Sequence, residues 1–363
     1  MDKKNRKINT IGILTFHHSK SFGAVLQAYA LTKFLRSKGY NAEIIDYKPI
    51  NILARKMGLH SRTLIRPAEF LQNVLGIRPK FRRFIRHHIP KSSKTYWHRL
   101  FLKKHRPKYD AYIAGSDQVW NTKIFHTFDP SYFLDFVPNG DSKLISYAAS
   151  FGEDQSDEYH TTLSKLISRF NNISVREAHG KSLVQELCDR DAEVVLDPVF
   201  LLDDYSEVTV PAKFKKPYIA VFCLETSEGF LELARKISEI TKLPIVSLGT
   251  AETKIGIAKR YIDPGQWLGY LSNAEYVITN SFHGVAFSIL LQKNFYVFPI
   301  SHRFVRIEEL LITLGLQEKI ILSPKTLSTL DIEQGVIDYG EITSKLKIRK
   351  KQSLEFLEEA LDD

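Results

Sequence analysis

The chain has 363 residues, of which 44% are hydrophobic and 25% charged, with a net charge of +10. At roughly 150 residues per domain that length points to two domains, and the composition excludes a disordered, collagen-like or disulfide-framework protein. Nowhere do about 18 apolar residues follow one another, so no membrane-spanning helix is expected.

In chain order, the opening "MDKKNRKINTIGILTFHHSK" is charged and then apolar, as signal peptides are. Its apolar stretch is short, holds Asn9 and Thr10 and meets no small-residue cleavage site, so it reads as a first strand, "TIGILTF". "AVLQAYALTKFLRSKG" follows as a helix, with Leu26, Ala30 and Phe34 on one face and Gly39 as its stop. "NAEIIDY" is the next strand. Asn51 to Lys108 then carry 16 Lys and Arg against one acid, Glu69, a net +15 that leaves the rest of the chain slightly acidic. Beyond it, "YDAYIAGSDQVW", "KLISYAASFG", "NISVRE" and "EVVLDPVF" are short apolar runs that end in polar residues or glycine, as buried parallel strands do. "AHGKSLVQELC" is a helix between the last two.

A polar stretch with two prolines, residues 203–217, breaks the pattern and marks a boundary. The same alternation then restarts: strand "YIAVFCL", helix "EGFLELARKISEIT", strand "PIVSLG", helix "PGQWLGYLSNA", strand "YVITN", helix "GVAFSILLQ", strand "NFYVFP" and helix "FVRIEELLITLG". The reading assigns 8–205 to an N-terminal Rossmann-like domain with a basic insertion at 51–108, 215–340 to a second such domain, and 341–363 to an amphipathic helix that packs back. The fold class is therefore α/β, with two doubly wound domains facing across a cleft. Cys188 and Cys223 fall in a helix and a buried strand, and read as small core residues of a protein in a reducing compartment, hence cytoplasmic.

In open parallel sheets ligands gather at the carboxyl ends of strands, where helix N-termini present unpaired N–H groups. Several such joints carry polar residues. "VITNSFHGVAF" sets Asn280, Ser281, His283 and Gly284 between a strand and a helix, a place for an anion such as phosphate; in the plainer alternative Ser281 only caps the helix. "TFHHSKSFGA" puts Gly23 at a tight turn but lacks GxGxxG. "IAGSDQVWN" offers Ser116 and Asp117, the aspartate as a base or as a turn cap. "ISVRE" ends in Arg176, a planar fork for an anion or one half of an ion pair with Glu177 or another acid. "SHRFVR" adds Arg303 and Arg306, which either close over an anion or are surface charges. No spacing resembles a zinc site, a P-loop or a nucleophile elbow, so neither a metal nor a bound cofactor is expected.

Taken in order, "FHHSKSFGAVLQAYALTKFLRSKGYNAEIIDY", "YDAYIAGSDQVWN", "ISYAASFG", "ISVRE", "VVLDPVFLL", "VITNSFHGVAFSILL" and "RIEELLITLGL" resemble the polysaccharide pyruvyl transferase family, from about Ile11 to Leu316. The ordered set "GSDQVWN", "SVRE" and "TNSFHG" carries the specificity. The resemblance implies a two-Rossmann, GT-B-like fold and transfer of a pyruvyl group from phosphoenolpyruvate to two hydroxyls of one sugar of a cell-surface or exopolysaccharide precursor, giving a cyclic ketal and phosphate. It matches the family's SxHG element to Ser281, His283 and Gly284, its arginine to Arg176, and its Gly-Ser-Asp turn to Gly115, Ser116 and Asp117. Ser21-Phe22-Gly23-Ala24 stands where the family more usually has Asn-aromatic-Gly-Ala. In this reading His283 is the general acid, Arg176 and the helix N-terminus hold the anions, and Asp117 accepts the sugar proton.

The basic stretch 51–108 lacks a nucleic-acid-binding signature, and no nucleic acid is expected as partner. Its interleaved apolar residues suggest amphipathic helices on an anionic inner membrane face, where a lipid-diphosphate-linked acceptor is presented; a solvated basic face is the alternative. Two other functions share the fold: a nucleotide-sugar glycosyltransferase and a non-catalytic carbohydrate-binding protein.

Overall fold

Short buried strands joined by helices have one economical arrangement, a parallel sheet covered on both faces. The computed structural model describes residues 7–49, 78–123, 128–152, 157–249, 255–300 and 304–362. The chain divides into two compact units, the first made of Met1–Leu75, Ile85–Leu202 and Arg349–Asp363, the second of Gly76–Phe84 and Asp203–Ile348.

The first unit's elements are β1 (Thr10–Leu14), α1 (Phe22–Ser37), β2 (Asn41–Tyr47), α2 (Arg78–His88), β3 (Lys91–Tyr96), α3 (Arg99–Lys104), β4 (Ala111–Ala114), β5 (Lys143–Ala149), α4 (His160–Ile167), β6 (Asn172–Val175), α5 (Ala178–Cys188) and β7 (Glu193–Val194), with α2 begun by residues of the second. All its strand pairs are parallel, in the order β3-β2-β1-β4-β5-β6-β7. Chain order reverses between β1 and β4, and this is the doubly wound topology. One face of the sheet is closed by aromatic rings around Trp120, which stacks on Phe133 at 5.2 Å and meets Phe170 edge-on. Such pairs add stabilisation beyond the area they bury.

Two expectations need correction here. Residues 51–77 of the supposed insertion lie outside the described residues, but Lys91–Tyr96 is no insertion: it forms β3, the edge strand of the sheet, paired with β2. Only Ser92 and Tyr96 of that strand are buried, and the exposed Lys94 is the kind of residue that protects a sheet edge, so hydropathy is too low to show it. In "EVVLDPVF" only Glu193 and Val194 are strand; Pro198 then opens a short 3₁₀ helix, Pro198–Leu201, and Asp197 caps it by accepting from the Val199 N–H at 3.1 Å.

At the end of β2, Asp46 joins three parts of the first unit. Its carboxylate accepts from His17 Nε2 at 2.8 Å, Thr95 Oγ1 at 2.7 Å, and the ammonium groups of Lys48 at 2.8 Å and Lys91 at 3.2 Å. His17 is fully buried. Burial alone would raise the Asp46 pKa, but the hydrogen bonds and charge of these donors outweigh it and hold the carboxyl well below the usual range.

The second unit contains β8 (Ile219–Phe222), α6 (Glu228–Thr241), β9 (Ile245–Leu248), β10 (Ile257–Lys259), α7 (Pro264–Ser272), β11 (Tyr276–Thr279), α8 (Phe282–Leu290), β12 (Asn294–Val297), α9 (Val305–Leu314), α10 (Thr329–Gln334) and the start of α11 (Tyr339–Asp362). Its sheet, again parallel, runs β10-β9-β8-β11-β12 and reverses between β8 and β11. The exposed edge strand β10, with no buried residue, gave no apolar run to read. From Arg349 onward α11 belongs to the first unit: Ser353 Oγ accepts from the Leu196 N–H at 2.9 Å, and Leu357, Ala360 and Leu361 are buried. Among the described residues no helix is long and apolar enough to cross a membrane. Cys223 is buried, Cys188 half-buried, and both are free thiols.

Because the folded-state pKa of Asp46 lies well below its unfolded value, its stabilising effect is complete above the ordinary carboxylate range, starts to decline as pH falls below that range, and is lost only as pH falls through the depressed folded-state value. Asp46→Asn is expected to cost about 3 kcal/mol at neutral pH by removing the negative charge and one acceptor oxygen from a buried network that holds two lysines. Urea unfolding followed across pH should show the variant and wild-type midpoints converging below about pH 4; midpoints that stay equally far apart in acid would contradict the role given to this carboxylate.

Candidate functional site

Each unit carries its polar joints where strand order reverses, the place at which open α/β sheets leave a crevice. In the first unit the reversal lies between β1 and β4. Thr15, just past β1, donates through Oγ1 to the Ser116 carbonyl at 2.8 Å and binds the two strand ends together. A Cβ on Gly115 would sit 2.9 Å from the Thr15 Cβ, so the approach needs glycine there. Asp117 follows in the left-handed region (φ 73°), half-buried, its Oδ1 accepting from the Gln118 N–H at 2.9 Å. Its backbone bridges to Ala149, next to a second left-handed residue, Ala148 (φ 51°), at the point where the β5–β6 register shifts. Non-glycine residues in this region store strain of order 1 kcal/mol each and concentrate at functional sites.

Arg176 leaves β6 into the same neighbourhood. Its guanidinium is buried, with Nη1 donating to Asp197 Oδ2 at 3.0 Å and Nε 3.6 Å from Glu177 Oε2. Asp197 also accepts from Ser116 Oγ at 2.9 Å, and Glu177 from Ser150 Oγ at 2.6 Å. Burial works against the arginine's charge, but the carboxylates of Asp197, Glu177 and Asp117 outweigh it and raise its pKa above the usual value. The ion pair with neighbouring acids is thus the arrangement present. Among the described residues, three carboxylates act on this one guanidinium.

The second unit's joint is built differently. Asn280, buried just past β11, accepts at Oδ1 from the Leu224 N–H and donates through Nδ2 to the Glu225 carbonyl, both at 2.8 Å. That side chain therefore laces β11 to the turn leaving β8, across the reversal. Ser281 is the N-cap of α8 and accepts from the Gly284 N–H at 3.4 Å, which is the capping role. A Cβ on Gly284 would lie 2.2 Å from Thr279 Oγ1, so glycine lets the helix sit directly on the strand end. His283 occupies the second helical position, 9% exposed, edge-on to Phe282 at 5.2 Å. The first turn of α8 holds no acid, and its backbone N–H groups and dipole favour negative charge.

The remaining expected residues are less informative. Gly23 is not in a turn: Ser21 caps α1, and Gly23 lies inside the helix's first turn. Arg303 lies outside the described residues, and Arg306 is half-buried in the first turn of α9. Sequence reasoning missed Asp197 and Asp46 as charge partners. Both had a visible signal, an acid before Pro198 and an acid inside the apolar run "EIIDY". A cavity of about 760 Å³, lined among others by Lys7, Arg106, Asp110 and Asp141, opens instead at the amino ends of β1, β4 and β5. We place no chemistry there, because the polar joints lie at the opposite strand ends and Arg106 is already paired with Asp141 at 2.5 Å. Among the described residues no group of three or more His, Cys, Asp or Glu is placed to hold a metal ion.

Two doubly wound parallel-sheet units define a GT-B-like protein, and solved structures of that class resemble this chain. A UDP-N-acetylglucosamine 2-epimerase aligns over 98% of this chain and 96% of its own at a TM-score of 0.55 with 9% identity. The enzyme of the same name from Rickettsia bellii aligns over 98% of both chains at 0.52, again with 9% identity. At such identity the likeness concerns the fold alone. No curated protein matches the sequence at a significant level. Residues 22–302 match the family described as polysaccharide pyruvyl transferase, and the chain belongs to that family.

The contact of Gly284 with Thr279 leads to a specific expectation. Gly284→Ala should destabilise the second unit by about 1–3 kcal/mol through overpacking, measured by chemical denaturation. Thr279→Ala in the same chain, which removes the clashing oxygen, should recover part of the loss; a Gly284→Ala protein as stable as wild type would remove the steric argument.

Proposed function

We propose that this family member transfers the pyruvyl group of phosphoenolpyruvate to two hydroxyls of one sugar, forming a cyclic ketal on an exopolysaccharide or cell-surface precursor and releasing phosphate. The observation that carries the reading is the division of charge between the two joints. The α8 N-terminus, with His283 and no acid in its first turn, suits a donor bearing a phosphate and a carboxylate. The cluster of Asp117, Glu177 and Asp197 around Arg176 would repel such an anion and suits the hydroxyls of a sugar.

The roles follow from that division. His283 delivers a proton to the donor's methylene carbon as the first sugar hydroxyl adds to the adjacent carbon. The bond from that carbon to the phosphate oxygen then breaks, and the second hydroxyl closes the ring. Asp117 receives the proton of the first hydroxyl, and the proton of the second leaves with the departing phosphate. Ser281 and Gly284 present the helix end, with Arg303 and Arg306 nearby in sequence as supplementary cations. Arg176, committed to Asp197 and Glu177, orders the acidic cluster instead of gripping the donor. No bound cofactor is required. The reading extends to a cytoplasmic protein whose acceptor is carried on a lipid diphosphate, with the basic stretch 51–108 touching the anionic membrane face.

His283→Ala is expected to lower phosphate release from phosphoenolpyruvate, with a sugar acceptor present, by about 10²–10⁴-fold. A panel of galactosides, mannosides and glucosides would supply the acceptor. Near-native release by the variant would refute the acid assignment, and release of UDP or GDP from a nucleotide sugar would replace the whole reading with glycosyl transfer.

A further inference from the structure

We propose that Trp97, Leu100 and Phe101, with the lysines around them, form a docking surface for an anionic lipid bilayer. This deepens the membrane contact suggested above and rests on it. Among the described residues of the first unit, these three are the exposed large hydrophobic side chains, at 46%, 64% and 43% exposure, and they fall within five positions of sequence. They are presented by a fixed turn. His98 caps α3 by accepting from the Leu100 N–H at 3.1 Å, and Leu102, on the other side of the helix, is fully buried. Phe101 leans on Tyr96 and His105, with ring centroids 5.8 and 4.7 Å away, so it is held in place while still exposed.

Along this stretch of sequence the charge is of one sign. Residues 78–108 hold 12 Lys and Arg and no Asp or Glu. Arg99 is engaged by Asp135, but the exposed Lys94, Lys103 and Lys104 take part in no ion pair among the described residues. Lys48 Nζ lies 5.7 Å over the Trp97 ring, but a solvated basic face gives no reason to expose Leu100 and Phe101 beside it, and the apolar centre of a protein interface is depleted in charge. Aromatic side chains beside lysines suit the bilayer interface, where the ring sits at headgroup level and each cation near an anionic surface contributes about 1 kcal/mol.

The full-length protein carries its own reporter. Of its three tryptophans, Trp120 and Trp267 are fully buried, so Trp97 is the one whose emission should respond to contact with lipid. Co-sedimentation with vesicles of phosphatidylcholine, alone or mixed with phosphatidylglycerol, should show binding to the mixed vesicles only, with a blue shift of Trp97 emission. The double variant Lys103→Gln/Lys104→Gln should bind about 30-fold more weakly, which is about 1 kcal/mol for each lysine. The triple variant Trp97→Ser/Leu100→Ser/Phe101→Ser should lose binding, with the far-UV circular dichroism of wild type. Wild-type protein that ignores both vesicles would overturn the membrane reading and this surface with it. Binding to mixed vesicles that neither variant weakens would overturn this surface alone and leave the contact to other basic residues. Equal binding to both vesicles, or capture by a soluble polyanion without vesicle binding, would also refute it.

Discussion

Each sheet reverses its strand order once, and that reversal is the constraint on which the rest depends. Where neighbouring parallel strands send their crossovers in opposite directions, no helix covers both strand ends, and their backbone groups must find other partners. In the second unit Asn280 supplies them, with one amide group satisfying the Leu224 N–H and the Glu225 carbonyl. In the first, Thr15 performs the equivalent task between β1 and β4. Side chains at these ends are therefore held by the fold before any ligand arrives.

The two reversals have been finished with opposite electrostatics. Around Arg176 the buried groups are charged and carboxylates predominate, and a buried arginine with two close carboxylates is a costly arrangement to build for stability alone. At α8 the polar groups are backbone N–H donors and an imidazole, and the capping of Ser281 leaves the helix dipole pointing outward. The transfer proposed above, from an anionic donor to the hydroxyls of a sugar, would use that asymmetry. The Asp46 hub supports the same end of the first sheet, by joining the loop after β1 to β2 and β3.

Most of the alternation of strands and helices was legible in the sequence because strands buried on both faces leave continuous apolar runs, as "YVIT" and "YIAVF" do. Edge strands break that rule. In β3 two lysines and three small polar residues precede the one aromatic, and in β10 nothing is buried, so period and hydropathy were both silent. At the site the joint "TNSFHG" could be read as a strand meeting a capped helix, since serine and glycine there have local reasons. Partners far apart in sequence could not: Ser116 meets Asp197 81 residues later, and His17 meets Asp46 29 residues later. The left-handed conformation of Ala148 belongs to the same class, because tertiary context imposes it on a residue that does not favour it.

The central claim is that the N-terminus of α8 receives the anionic donor. Hydrogen exchange of the full-length protein with and without phosphoenolpyruvate reads it at the backbone groups concerned. The account predicts slowed exchange at the amides of Phe282 and His283, with the β9–β10 edge unchanged. Exchange unaltered at those two amides under saturating donor, or protection confined to the amino ends of β1 and β4, would contradict it.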